Sequence, residues 1–247
     1  MPPMISRPLI RMSFLIVLAV MTSCGREESP RPAAGPLLDT EAHAVADEPQ
    51  EALTPLPKTG PKVVFLGDSI SAGLHLEAAR AYPAVLARRL DRQGHPFQLV
   101  NAGISGDTTA AGLRRLPWLL KQEPKILVIQ LGANDGLRGL SVDAIESNLM
   151  AMVRAAQEAR VEVLLLGMRL PPSYGDAYAR AFDEVYGRVA AATGCHYVPH
   201  FMEGVAGEPR YNLKDGIHPT ARGHELLADR VASALRTLVP SATESVR

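Results

Sequence analysis

The chain has 247 residues, 26 of them Lys or Arg and 26 Asp or Glu, and 47% are hydrophobic. This balance leaves no electrostatic footprint for nucleic acid as a partner. The apolar content suits one substantial globular core, and the two cysteines are too few for a structural zinc site.

In the N-terminal stretch, Arg7 and Arg11 precede an apolar run from Met12 to Met21, then Thr22-Ser23-Cys24-Gly25. Positive residues, a short apolar stretch and small residues make a secretory signal. The stretch is much shorter than the roughly 20 residues a spanning helix needs. With Cys24 directly after the small residues, the segment resembles the bacterial lipoprotein signal. That resemblance implies removal of residues 1–23, lipidation of Cys24 and a protein exported and anchored at the cell envelope. Met21 stands where that pattern has leucine, and the plainer alternative is an ordinary cleaved signal with an incidental cysteine. Gly25, rather than aspartate, follows Cys24, which by the same resemblance favours the outer membrane and a periplasmic location. If Cys24 is lipidated, Cys195 has no partner in the chain and reads as a small buried hydrophobe. Residues 24–61 are proline-bearing, acidic and without apolar periodicity, the composition of a disordered tether. Residues 240–247 read as a flexible tail.

Periodic sequence occupies 62–239. Lys62-Val63-Val64-Phe65-Leu66-Gly67 is a short apolar run of the kind that forms a strand buried on both faces. It delivers Asp68 and Ser69 into what reads as a loop. Residues 77–93 carry Ala78, Tyr82, Val85, Leu86 and Leu90 at helical spacing, and Gly94 ends that helix. A strand over 97–101 leads into Ala102-Gly103-Ile104-Ser105-Gly106-Asp107. A helix over 108–121, with Pro117 as a kink, precedes a strand over 125–131 that stops at Gly132-Ala133-Asn134-Asp135-Gly136. Ser141 caps a helix over 142–160, followed by a strand over 161–167 and a loop holding Pro171 and Pro172. A helix over 177–193, a strand over 196–198 and a last helix from Pro219-Thr220 to Leu238 complete the domain. Alternating strands and helices with short loops predict an α/β fold: a three-layer sandwich around a five-stranded parallel sheet, in the order 2-1-3-4-5.

In such sheets the chemistry collects beyond the carboxyl ends of the strands, where the first three strands bring Ser69, Gly103 and Asn134. A serine hydroxyl needs a base within hydrogen-bond reach to become a nucleophile. Of the histidines, His218 is best placed, because Asp215-Gly216-Ile217-His218-Pro219 lies just before the final helix. Three residues' separation lets the Asp215 carboxylate bond one imidazole nitrogen while the other faces Ser69. The N–H groups of Ser69 and Gly103 and the Asn134 amide then read as an oxyanion hole. Asp68, Asp107 and Asp135 read as residues that brace or cap loops. The segments around Pro171-Pro172-Ser173-Tyr174 and over 201–211 either line an acyl pocket or rim the fold. The α/β-hydrolase nucleophile motif would need glycine at Ser71. His224-Glu225 begins a zinc-protease motif that Ala228 breaks, and no glycine-rich phosphate loop is present.

These blocks, Gly67-Asp68-Ser69-Ile70, Gly103, Gly132-Ala133-Asn134-Asp135 and Asp215-Gly216-Ile217-His218-Pro219, resemble those of the SGNH (GDSL-type) hydrolases over 62–238. The stretches 101–109 and 132–139 look more narrowly like the arylesterase, thioesterase I and lysophospholipase group. The resemblance implies a flavodoxin-like SGNH fold and an esterase with Ser69 as nucleophile, His218 as base and Asp215 as its orienting carboxylate. Ser69, Gly103 and Asn134 would be the oxyanion donors. It implies no metal or cofactor, and a small-molecule acyl ester or lipid as substrate, cleaved through an acyl-enzyme. Ile70 replaces the leucine of the family's name. Two other readings stand beside it, a carbohydrate O-deacetylase of the cell envelope and a non-enzymatic lipid-anchored binding module.

Overall fold

Five short runs rich in Val, Ile and Leu form the strands β1 (Lys62–Gly67), β2 (Gln98–Asn101), β3 (Ile126–Gln130), β4 (Glu162–Leu166) and β5 (His196–Val198). In this computed structural model, which describes residues 53–243, they form one parallel sheet in the order β2-β1-β3-β4-β5. The fold is the one expected. The signal over 1–23, Cys24 and most of the 24–61 tether lie outside the described residues, as does the end of the tail.

The described residues form seven α-helices: α1 (Ser69–Ala72), α2 (Tyr82–Arg92), α3 (Thr109–Leu120), α4 (Ala133–Leu137), α5 (Val142–Glu158), α6 (Asp176–Thr193) and α7 (Ala221–Leu238). α2 packs against α7, while α3, α5 and α6 pack in a row, giving the two outer layers of an α/β/α sandwich. α5 shows why the helices dock. Ile145, Leu149, Met152, Val153 and Ala156 recur at helical spacing and are all fully buried. Each large side chain so buried contributes about 1.5–3 kcal/mol. The starts of three of the longer helices are set by side-chain caps. Thr108 accepts the Ala111 N–H, Ser141 the Ala144 N–H and Thr220 the Gly223 N–H.

The central strands β1 and β3 are almost wholly buried. Their register aligns Gly67 with Gln130, so both strands end at one level. The chain passes from β1 outward to β2 and then back across to β3. The order therefore reverses between β1 and β3, the crevice where open α/β sheets bind ligands.

Three local features depart from the expected elements. The helix expected over 77–93 begins at Tyr82, after a 3-10 turn over Ala78–Arg80 and an extended Ala81. Pro83 lies in its first turn, where the missing N–H costs nothing. The loops after β1 and β3 contain one-turn helices, α1 and α4, too short to show apolar periodicity. Cys195 is half-buried rather than a core residue.

Candidate active site

The site is built at the carboxyl edge of β1 and β3. β1 ends in Gly67, where a Cβ would stand 2.0 Å from Ser71 Oγ, so the chain turns into α1 without a side chain at this point. Asp68 is the N-cap of α1, its Oδ1 accepting the Ile70 N–H at 3.0 Å. Ser69 thus opens a helix rather than sitting in a free loop, and its N–H is one of the first-turn donors that a helix leaves unused. Its residue surface is only 9% exposed.

The base comes from the far end of the chain. The loop before α7 is pinched shut by Leu213 N–H to His218 O at 2.7 Å and Thr220 N–H to Tyr211 O at 2.8 Å. Asn212 and Pro219 also pair as an antiparallel bridge. Inside this loop Asp215 Oδ1 accepts the N–H groups of Ile217 and His218, each at 2.9 Å. Its Oδ2 accepts from His218 Nδ1 at 2.7 Å, and His218 Nε2 lies 2.9 Å from Ser69 Oγ. The three side chains that spacing singled out therefore form one continuous chain of hydrogen bonds. The backbone N–H of His218, its ring and the N–H of Ile217 hold the Asp215 carboxyl well below the usual carboxylate range. A carboxylate kept ionised at Nδ1 leaves the Nε2 lone pair free to take the serine proton. His75, with φ at 67°, stands edge-on to His218 with ring centroids 6.3 Å apart.

On the opposite side, Gly132 takes φ 115° and has no room for a Cβ, which would meet Tyr186 Oη at 2.1 Å. It starts α4 and brings Asn134 to the edge. Asn134 Nδ2 donates to Asp107 O at 3.0 Å and leans toward Asp68 Oδ2 at 3.5 Å. Asp135 is buried and receives the Thr109 N–H and hydroxyl, tying the β3 loop to α3. Asp107 pairs with Arg115, which also donates to Gly67 O. The carboxylates read as loop braces are therefore seen bracing loops.

At Gly103 the structure departs from the expected oxyanion donor. Its N–H donates to Asn101 Oδ1 at 3.0 Å, and its α-carbon presses on α1, so that a Cβ would meet Ala72 N at 2.4 Å. It is a close-packing glycine with its N–H already used. Gly106, three residues on, has φ 84°, and among the described residues its N–H has no protein acceptor. It directly precedes Asp107, whose carbonyl receives Asn134 Nδ2. Among the described residues, Ser105, Gly106 and Thr108 on this loop each keep an N–H with no protein acceptor, and of these Gly106 has no side chain to shield it. Among the described residues, no group of three or more His, Cys, Asp or Glu side chains is arranged to hold a metal ion.

The profile of the GDSL-like Lipase/Acylhydrolase family matches residues 65–226, a span running from β1 into α7 and holding every side chain above. The chain belongs to this family. Esterase TesA of Pseudomonas aeruginosa is 45% identical to it over 178 residues, covering 72% of this chain and 89% of the relative. Thioesterase 1/protease 1/lysophospholipase L1 of Escherichia coli is 40% identical over 178 residues, covering 72% of this chain and 84% of the relative. A crystal structure of TesA matches with a TM-score of 0.70 at 45% identity, covering 72% of this chain and 99% of that one. This acylhydrolase is a serine ester hydrolase acting on a small-molecule ester. Motif reading passes over two residues at this edge. Gly106 stands in the same block as Gly103, and the Asn101 contact and the α1 backbone pressed on Gly103 tell them apart. Gln130, a lone amide ending an apolar strand, is the visible trace of a buried network beneath Ser69.

Proposed function

We propose that this acylhydrolase cleaves carboxylic esters and thioesters through an acyl-enzyme formed on Ser69. The observation that carries the reading is the unbroken path from Asp215 Oδ2 through the His218 ring to Ser69 Oγ, 2.7 Å and then 2.9 Å. His218 Nε2 takes the hydroxyl proton as Oγ bonds to the carbonyl carbon, and the carbonyl electron pair moves onto oxygen. The Ser69 N–H, Asn134 Nδ2 and Gly106 N–H are the donors for that oxyanion. Asp215 stabilises the imidazolium and keeps its orientation. Nε2–H then protonates the departing alcohol or thiol. In the second half a water molecule loses its proton to His218 as it attacks the acyl carbon, and Nε2–H returns that proton to Ser69 Oγ as the acid departs.

The proposed substrates are aryl esters, acyl thioesters and lysophospholipids. Exposed Ile104, Leu140, Tyr174 and Ile217 supply apolar contacts for their acyl or aryl groups, on the loops that leave the catalytic edge. Nitrophenyl esters and acyl-CoA thioesters of graded chain length test this. Hydrolysis that varies with acyl length supports the reading, and no turnover of either series contradicts it.

We further propose that the protein is a lipoprotein, exported and held at the envelope through Cys24, most consistent with the outer membrane. The support is a short apolar stretch ending on that cysteine, with a long polar tether before the domain. One acyl chain binds a membrane only marginally, so the anchor needs the several chains a bacterial lipoprotein carries. A fatty-acid analogue should label the wild type but not Cys24→Ala. A wild-type chain that stays soluble and unlabelled rules the anchor out.

A further inference from the structure

Beneath the nucleophile lies a polar network that the steps above leave unused. Asp68, Ser71, Tyr82 and Gln130 are each 0% exposed. Gln130 Oε1 accepts from Ser71 Oγ at 2.7 Å and from the Ser71 N–H at 3.2 Å, and Ser71 Oγ also meets Tyr82 Oη at 3.0 Å. These contacts fix which way the Gln130 amide faces, so its Nε2 donates to Asp68 Oδ1 at 3.0 Å. Oδ1 also holds the Ile70 N–H, which leaves Oδ2 as the oxygen facing Asn134 Nδ2 at 3.5 Å.

That last contact is too long to be strong, but it has a direction. The Asn134 amide sits between two acceptors, Asp107 O and Asp68 Oδ2. A flipped amide would bring its own oxygen against both, an arrangement of acceptors with no proton between them. We propose that Asp68 is a positioning residue for the reaction: its Oδ2 keeps the Nδ2 face of Asn134 toward the oxyanion. This rests on the reading of Asn134 as an oxyanion donor. The weak hold is an advantage, since a charged oxyanion at ordinary hydrogen-bond distance competes for the same N–H.

The charged and titratable groups around Asp68 are His218 ahead of α7, Asp107 beyond β2 with its partner Arg115 on α3, Tyr82 on α2 and Tyr186 on α6. Burial pushes the Asp68 carboxyl up to about 6, against the pull of the Ile70 N–H, Gln130 and His218. Because Oδ1 is occupied by two donors, the added proton goes to Oδ2. There it turns an acceptor for Nδ2 into a donor that favours the flipped Asn134. The positioning is therefore present above pH about 6 and lost as pH falls through it.

The test is a double-mutant cycle on the full chain with a soluble nitrophenyl ester, at pH 7.5 and across pH 5–8. In Asp68→Asn a side-chain N–H replaces or competes with the acceptor opposite Asn134, so kcat should fall about 10²-fold with KM little changed, as for loss of a donor. Asn134→Ala should fall similarly, and the double variant should be hardly worse than Asn134→Ala alone. The ratio of wild-type to Asn134→Ala kcat should shrink from pH 7.5 to pH 5, because the wild type loses the Asn134 contribution as Asp68 takes its proton. The second comparison needs no change at residue 68, so misfolding of Asp68→Asn does not blunt it. Multiplying losses, or a ratio of wild-type to Asn134→Ala kcat that stays constant across pH 5–8, overturn the proposal. If Asn134→Ala keeps full kcat, the donor reading of Asn134 falls first and the proposal with it.

Discussion

His224 and Asp68 couple folding to pH in opposite directions. His224 is 1% exposed, its Nδ1 accepts the Tyr82 N–H at 3.1 Å, and its ring stacks 6.3 Å from that of Tyr82. Burial pushes it from 6.5 down to about 4. Between those values the unfolded chain takes a proton that the folded one refuses, so stability falls as pH falls. At about 1.4 kcal/mol for each pH unit, the full loss is about 3 kcal/mol. Asp68, held up at about 6 against 3.8 unfolded, does the reverse. The folded state gains its proton first, and stability rises as pH falls from about 6 to 3.8, again by about 3 kcal/mol. In the wild type the two nearly cancel. Replacing one should expose the other. In His224→Gln, whose amide oxygen can still accept the Tyr82 N–H, stability relative to wild type should climb by about 3 kcal/mol from pH 7 to pH 4. In Asp68→Asn it should drop by a similar amount. Urea unfolding followed by far-UV circular dichroism at half-unit pH steps reads both differences, and contributions common to all three proteins drop out. Curves for both variants that run parallel to the wild type would refute the reasoning.

Ser69→Ala and His218→Ala should each abolish nearly all ester turnover, and the double variant should be hardly worse than either, because nucleophile and base act as a unit. Progress curves with a nitrophenyl ester measure all three. Gly132→Ala should be destabilised by about 3 kcal/mol, since φ 115° strains any other residue and the new Cβ would strike Tyr186 Oη at 2.1 Å. Thermal melting checks this, and an unchanged midpoint would mean that Tyr186 moves aside freely.

Much of this molecule could be read from its residues, for identifiable reasons. Strands such as Val63-Val64-Phe65-Leu66 are buried on both faces and leave an uninterrupted apolar run. Ser69 and Asn134 follow strand ends, and His218 stands two residues before the cap of α7, so each is marked by an element boundary. α1 and α4 were hidden because four or five residues cannot display a helical repeat. Gly103 and Gly106 look alike as letters. What separates them is the Asn101 side chain, which occupies the Gly103 N–H, and the α1 backbone pressed against the same glycine. The Asp68–Gln130–Ser71–Tyr82 network joins α1 and its cap, α2 and β3 across up to 62 positions, and only the fold brings it together.

The central claim is that Ser69 is the nucleophile, activated by His218. Labelling the full chain with a fluorophosphonate, followed by peptide mass spectrometry, measures it directly. One phosphonyl adduct on the peptide bearing Ser69, absent from Ser69→Ala and formed far more slowly in His218→Ala, is the predicted result. An adduct on another residue, or equal labelling of the wild type and His218→Ala, would contradict it.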